Sequence, residues 1–182
     1  VEDGAISLLK VGMDRPNFVC SGEKNLSEAC WDPESPAFAP GAAIYVSGKE
    51  TGAILDAGSP SISKITVRNG ATLKIAAALP ALPNLEAEFD AKILLAEGVE
   101  LAEMPPIAAT ANATQIPVVE IPSGTTVSLP DGYVFKNVQL TVFGTIGTAD
   151  SSTVTFGSAD DGETAYFGLA ATNAMFRLGD AA

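Results

Sequence analysis

Histidine is absent from the 182 residues. Its absence excludes Ser–His–Asp and Cys–His catalysis within this chain. It also removes imidazole as a metal ligand, so with only two cysteines a zinc site is not expected. The sequence contains no P-loop, no dinucleotide-binding fingerprint and no G-x-S-x-G elbow. The catalytic chemistry that remains is that of paired carboxylates.

Cations are also scarce, with 10 Lys and Arg against 22 Asp and Glu and a net charge of −12. Such a charge disfavours nucleic acid or an anionic membrane surface as a partner. Apolar runs are short and are interrupted by proline and glycine, so we expect no insertion into a membrane. Hydrophobic residues make up 47% of the chain, which is enough for one folded domain with a sizeable core.

The two cysteines, Cys20 and Cys30, are ten residues apart. An even count at this spacing predicts a disulfide that closes a short loop. The alternative is a pair of buried thiols in a cytosolic protein. The chain starts at Val1 without a signal-like segment, which we interpret as a mature or excised piece of a longer chain. We therefore expect an extracellular or cell-surface location.

A strand–turn–strand pattern recurs along the chain, with alternating apolar residues on both sides of a glycine. A period of roughly 20 to 30 residues is typical of a stacked solenoid. In this alignment Ile65 lies beneath Ile93, which lies beneath Val119. An antiparallel β-sandwich with glycine-containing loops is the alternative. The copies are Ile65–Ile75 around Gly70, Ile93–Leu101 around Gly98, Val119–Leu129 around Gly124, and the looser Val138–Ile146 around Gly144.

Runs such as Ile65–Ile75 and Val138–Ile146 resemble the coils of right-handed parallel β-helices from secreted and surface proteins of bacteria. Autotransporter passengers, outer-membrane adhesins and polysaccharide-processing β-helices are of this kind. The resemblance covers about residues 42–178 and brings no catalytic motif. It implies an all-β fold, a right-handed parallel β-helix or β-solenoid. We expect residues 1–41 to form an N-terminal cap that contains the Cys20–Cys30 loop, and residues 42–182 to form the solenoid, with about seven coils.

Acidic side chains cluster near the end of the chain, at Asp150 and at Asp160, Asp161 and Glu163. Several carboxylate oxygens at one turn suit Ca²⁺, although the spacing is not that of an EF-hand loop. A solvated acidic turn without a ligand is the alternative. A lyase would also need a basic residue, for which Lys136 and Arg177 are candidates.

Aromatic residues near turns are the second group of candidates, because sugar rings stack on flat apolar faces. Phe143 breaks the alternation of Val138, Leu140 and Val142, which places it outside the core. The alternative is that the aromatic rings fill corners of the core. The candidate ligand-binding residues are Tyr133, Phe135, Phe143 and Tyr166.

These patterns favour a non-catalytic, secreted or cell-surface β-solenoid with a structural or adhesive role. Carbohydrate is the expected partner, or else another surface protein, and Ca²⁺ is the one candidate cofactor. Two alternatives remain. One is a carboxylate-based polysaccharide lyase or glycoside hydrolase, and the other is an architectural spacer without a ligand.

Overall fold

The computed structural model describes residues 15–28, 30–32, 41–79, 82–99, 101, 103–112 and 114–148, and the backbone of three later strands. Regular structure in these parts is entirely β, and they contain no helix that could cross a membrane. The strands are β1 (Asn17–Phe18), β2 (Gly22–Asn25), β3 (Trp31–Asp32), β4 (Ala42–Ser47), β5 (Thr51–Leu55), β6 (Ile62–Arg68), β7 (Thr72–Ile75), β8 (Asn84–Glu88), β9 (Lys92–Leu95), β10 (Ile107–Thr110), β11 (Val118–Ile121), β12 (Thr126–Leu129), β13 (Tyr133–Phe135), β14 (Gln139–Val142), β15 (Thr145–Thr148), β16 (Val154–Phe156), β17 (Tyr166–Leu169) and β18 (Met175–Arg177).

Strands from successive turns of the chain pair in parallel and form long sheets. Sheet A has the order β10-β8-β6-β4-β1-β3, and sheet B has the order β17-β14-β11-β9-β7-β5-β2. A third sheet, sheet C, contains β12, β15 and β18, and β13 pairs with β16. The result is a parallel β-solenoid of about five turns. The predicted all-β solenoid is confirmed over the antiparallel sandwich.

The core consists of columns of apolar side chains that run through successive turns. In sheet A, Ile44 pairs with Ile65, and Ile65 pairs with Leu85. In sheet B, Leu73 pairs with Ile93. All of these side chains are buried, because alternate residues of each strand point inward. Each fully buried Leu or Ile contributes about 1.5–3 kcal/mol relative to an exposed one.

The predicted alignment of the repeats is correct for its later copies and wrong for the first. Ile93 does pair with Val119, and Leu101 forms a bridge with Val127. Ile65, however, stacks on Leu85 and not on Ile93. The reason is that glycine turns occur at two different corners. Gly70 lies between sheets A and B, whereas Gly98 lies between sheet B and the strand-like residue Leu101 on the sheet C side.

The N-terminal strands continue both sheets. β1 pairs in parallel with β4 and antiparallel with β3, and β2 pairs in parallel with β5. The predicted disulfide is confirmed between Cys20 and Cys30, whose Cα atoms are 5.2 Å apart. Beside it, the rings of Phe18 and Trp31 meet edge to face with their centres 5.1 Å apart. The disulfide thus links the two ends of the segment between β1 and β3, which contains β2.

Glycine serves two different purposes at the corners. Gly70 and Gly124 have φ values of 75° and 76°, a conformation that a side chain disfavours. Gly144 does not have a positive φ. A Cβ at Gly144 would clash with the carbonyl oxygens of both Pro122 and Thr125. Glycine is required there because two backbone segments approach each other closely.

We expect Gly144→Ala to lower the free energy of unfolding by about 1–3 kcal/mol, because the backbone must move to admit the methyl group. The matched control is Gly58→Ala, where a Cβ would meet only Asp56 Oδ1 at 3.5 Å. Urea denaturation followed by circular dichroism measures both changes. Equal stability of the two variants would contradict the assigned role of Gly144.

Candidate functional site

The outer side of sheet A carries a row of polar and aromatic side chains. In-register pairing aligns Asn17 with Tyr45, Tyr45 with Thr66, and Thr66 with Glu86. These residues point outward because their neighbours in each strand, such as Ile44 and Val46 of β4, fill the core. We refer to the outward side chains here as the sheet A face: Arg15, Tyr45, Lys64, Thr66, Arg68 and Glu86.

Two arginines approach the ring of Tyr45. The guanidinium carbon of Arg68 lies 3.7 Å from the centre of the ring, and that of Arg15 lies 5.5 Å from it. Both distances are within the range of a cation–π interaction. Arg15 is held nearby because the Tyr45 N–H donates to the carbonyl of Pro16 at 2.9 Å. The Nε atom of Arg68 is buried and has no hydrogen-bond partner among the described residues.

Glu86 is the carboxylate at the centre of the sheet A face. It accepts a hydrogen bond from the Thr66 hydroxyl at 2.9 Å and forms an ion pair with Lys64. Burial alone would raise the pKa of Glu86. The hydrogen bonds from Lys64 and Thr66, with the charges of Lys64 and Arg15, outweigh burial and hold this pKa below its usual value.

No family model, curated protein or solved structure matches the chain. The functional interpretation of the sheet A face therefore depends on the geometry of that face alone. A parallel sheet with an outward tyrosine, two arginines and a paired carboxylate can recognise polar ligands by hydrogen bonds and charge.

Tyr133 and Phe135, two of the predicted ligand-binding residues, point into the core. They are 6% and 2% exposed, and their ring centres are 4.6 Å apart. The Tyr133 hydroxyl donates to the carbonyl of Pro105 at 2.7 Å, and burial raises the pKa of this phenol above its usual range. Val134 between them faces solvent. Both residues therefore match the alternative interpretation of the sequence, in which aromatic rings fill corners of the core.

Phe143 is half-buried, next to the buried Val142, and it stays a candidate. The backbone of Tyr166 pairs with Gln139 in sheet B, and its side chain lies outside the described part of the structure. The candidate calcium ligands, Asp150, Asp160, Asp161 and Glu163, also lie outside the described residues, so the calcium site stays a prediction.

Phe89 is an exposed aromatic residue that was not among the candidates predicted from the sequence. It lies at the corner between β8 and β9, is 36% exposed, and has a φ of 54°. This left-handed conformation is rare for a bulky residue. The equivalent residue one turn earlier is Asn69, with a φ of 55°. Alignment of Asn69-Gly70 with Phe89-Asp90, at a spacing of twenty residues, is the signal that would have revealed it.

An apolar cleft of about 560 Å³ opens beside the segments that precede β8 and β10. It is adjacent to a second cleft of about 310 Å³, and Leu79 and Leu82 line both. The described residues do not show what covers these clefts, and we assign no ligand to them. Side chains that line the larger one include Leu79, Leu82, Leu101, Met104, Pro105 and Pro106.

The low pKa of Glu86 predicts a pH-dependent contribution to stability. Because the pKa is lower in the folded than in the unfolded protein, this contribution is present above about pH 4.5, the usual value for Glu, and is lost as the pH falls through the folded pKa. Glu86→Gln should therefore cost stability at neutral pH and less in acid. Urea denaturation of both proteins from pH 7 to pH 3 measures this difference.

The control for this prediction is the same substitution in a Lys64→Met background. Without the ammonium group, the pH dependence of the effect of Glu86→Gln should be smaller. A stability difference between the native protein and the Glu86→Gln variant that does not change with pH would contradict the assigned electrostatic role.

Proposed function

We propose that this protein is a secreted or cell-surface recognition domain that binds carbohydrate without altering it. This role corresponds to that of the bacterial surface β-helices that its coils resemble. The observation that carries the proposal is the exposed ring of Phe89, held in a left-handed backbone conformation at the edge of the sheet A face.

The strain at Phe89 supports a function for this residue. A bulky residue with positive φ costs about 1 kcal/mol or more, whereas the asparagine found at the equivalent corner tolerates this conformation readily. The Phe89 N–H donates to the Thr110 carbonyl at 2.6 Å, which fixes the corner against the next turn. An aromatic ring at a position better suited to asparagine indicates that the ring itself is useful.

The surroundings of Phe89 provide polar groups for a sugar. Phe89 directly follows Glu88 at the end of β8 and precedes Asp90, and Asn69 occupies the same corner one turn earlier. Exposed aromatic faces stack against the apolar faces of sugar rings, while carboxylates and amides accept and donate hydrogen bonds to hydroxyl groups. Turns about 4.8 Å apart offer such groups at regular spacing.

The disulfide supports the proposed location. Structural disulfides persist in oxidising compartments and are rare in the cytosol, and the Cys20–Cys30 bond closes a loop at the start of the solenoid. A rigid parallel scaffold also suits an adhesive role, because the outward side chains of stacked strands keep their positions when a ligand binds.

The test compares Phe89→Asn with the matched control Val134→Asn, since Val134 is 41% exposed on a different sheet. Binding to soluble xylan, galactomannan and polygalacturonate is measured by affinity electrophoresis. We expect Phe89→Asn to weaken binding about threefold to tenfold through loss of stacking, and Val134→Asn to leave it unchanged. The stability of Phe89→Asn should stay within about 1 kcal/mol of the native protein, because relief of strain offsets lost burial.

Three results would contradict the proposal. Equal binding by the native protein and Phe89→Asn would remove Phe89 from the site. Binding to none of the three polysaccharides would argue against carbohydrate of these classes as the ligand. Release of new reducing ends during incubation would show catalysis and replace the non-catalytic proposal.

A further inference from the structure

The two arginines of the sheet A face have no directly bonded carboxylate among the described residues, although the charge of Arg15 acts on Glu86. Arg68 and Arg15 both approach Tyr45, so two positive charges share one ring. Neither forms an ion pair with a carboxylate among the described residues. The buried Nε–H of Arg68 has no acceptor there, and an unpaired donor on a charged group is costly.

Nearby carboxylates do not fill this role. Glu86 accepts its hydrogen bond from Thr66 and pairs with Lys64. Glu88 follows on the same strand, but the guanidinium of Arg68 is turned the other way, toward Tyr45 of β4. Asp32 lies beyond Asn17 at the edge of the sheet. A protein with 22 acidic residues therefore leaves these two arginines without a directly bonded carboxylate in the part of the chain that the structure describes.

We propose that Arg15 and Arg68, supported by Tyr45, form a binding site for an oxyanion group on a ligand that meets the sheet A face. The guanidinium group presents parallel N–H donors that match the oxygens of a carboxylate, sulfate or phosphate. The tyrosine ring holds the guanidinium of Arg68 in place at 3.7 Å from the ring centre. This site does not depend on the sugar contact proposed at Phe89.

An anion beside Tyr45 is attracted by both guanidinium groups, which lie 3.7 and 5.5 Å from the centre of its ring. It accepts hydrogen bonds from the outer N–H groups of the two forks. A tetrahedral sulfate or phosphate has oxygens for both arginines, whereas a planar carboxylate pairs best with one fork. The kind of oxyanion can therefore be distinguished by comparing these three ions.

The test follows the Nε–Hε signal of Arg68 by NMR while sodium sulfate, phosphate or acetate replaces sodium chloride at constant ionic strength. We expect a saturable shift of this signal with at least one of the three ions. Arg68→Lys, which keeps the charge but loses the Nε–H and the fork, and Arg15→Gln should each weaken the binding at least about tenfold. In Arg68→Lys the signals of Tyr45 report the binding. Lys92→Gln, an exposed cation on sheet B, is the control and should bind as the native protein does.

Three outcomes would overturn the proposal. The first is the absence of a saturable shift with all three ions. The second is an equal loss of binding in Lys92→Gln, which would indicate diffuse charge attraction rather than a site. The third is an ion-free protein in which the Arg68 Nε–H already donates to Glu88, since the site would then be filled from within the chain. If Arg68→Lys does not fold, Arg15→Gln decides between these outcomes.

Discussion

The parallel hydrogen bonding between successive turns is the constraint on which the rest of the structure depends. At the start of three consecutive sheet B strands, the N–H groups of Lys92, Val118 and Gln139 donate to the carbonyls of Ala71, Ala91 and Pro117 at 2.8–3.0 Å. A parallel strand has an exposed edge until another strand satisfies its backbone groups. Each turn thus supplies the template for the next, and the register carried by these bonds decides which side chains enter the core and which face solvent.

The same register produces the candidate site. Tyr45, Thr66 and Glu86 come from three different turns and lie in one row only because their strands pair residue for residue. The guanidinium group of Arg68, on β6, contacts the ring of Tyr45 on the neighbouring strand β4. The inward columns provide most of the stability, so some groups in the outward rows need not contribute to it. Phe89, with its strained backbone, and Arg68, whose buried Nε–H has no partner among the described residues, both have outward-facing side chains, where a loss of stability is consistent with selection for binding.

The fold was predictable from the sequence because alternation and repeat period are local properties. Ile65, Leu73 and Ile93 are each recognisable as inward residues from their immediate neighbours. The pairing of Ile65 was not predictable, since turns at two different corners contain the same Gly signal. The inward direction of Tyr133 depends on the space beside Pro105, and the approach of Arg68 to Tyr45 depends on a strand 21 residues earlier. Side-chain direction at corners and across strands is set by tertiary neighbours, and so sequence alone did not reveal the sheet A face.

The most direct test of this account is the detection of the inter-turn hydrogen bonds in solution. NMR scalar couplings across hydrogen bonds, measured on isotope-labelled protein, can link the Lys92 N–H to the Ala71 carbonyl and the Val118 N–H to the Ala91 carbonyl. The parallel solenoid predicts both couplings, with protection of these amides from hydrogen exchange. Couplings that instead join neighbouring strands of the sequence in antiparallel order would contradict the solenoid, and with it the alignment of Tyr45, Thr66 and Glu86.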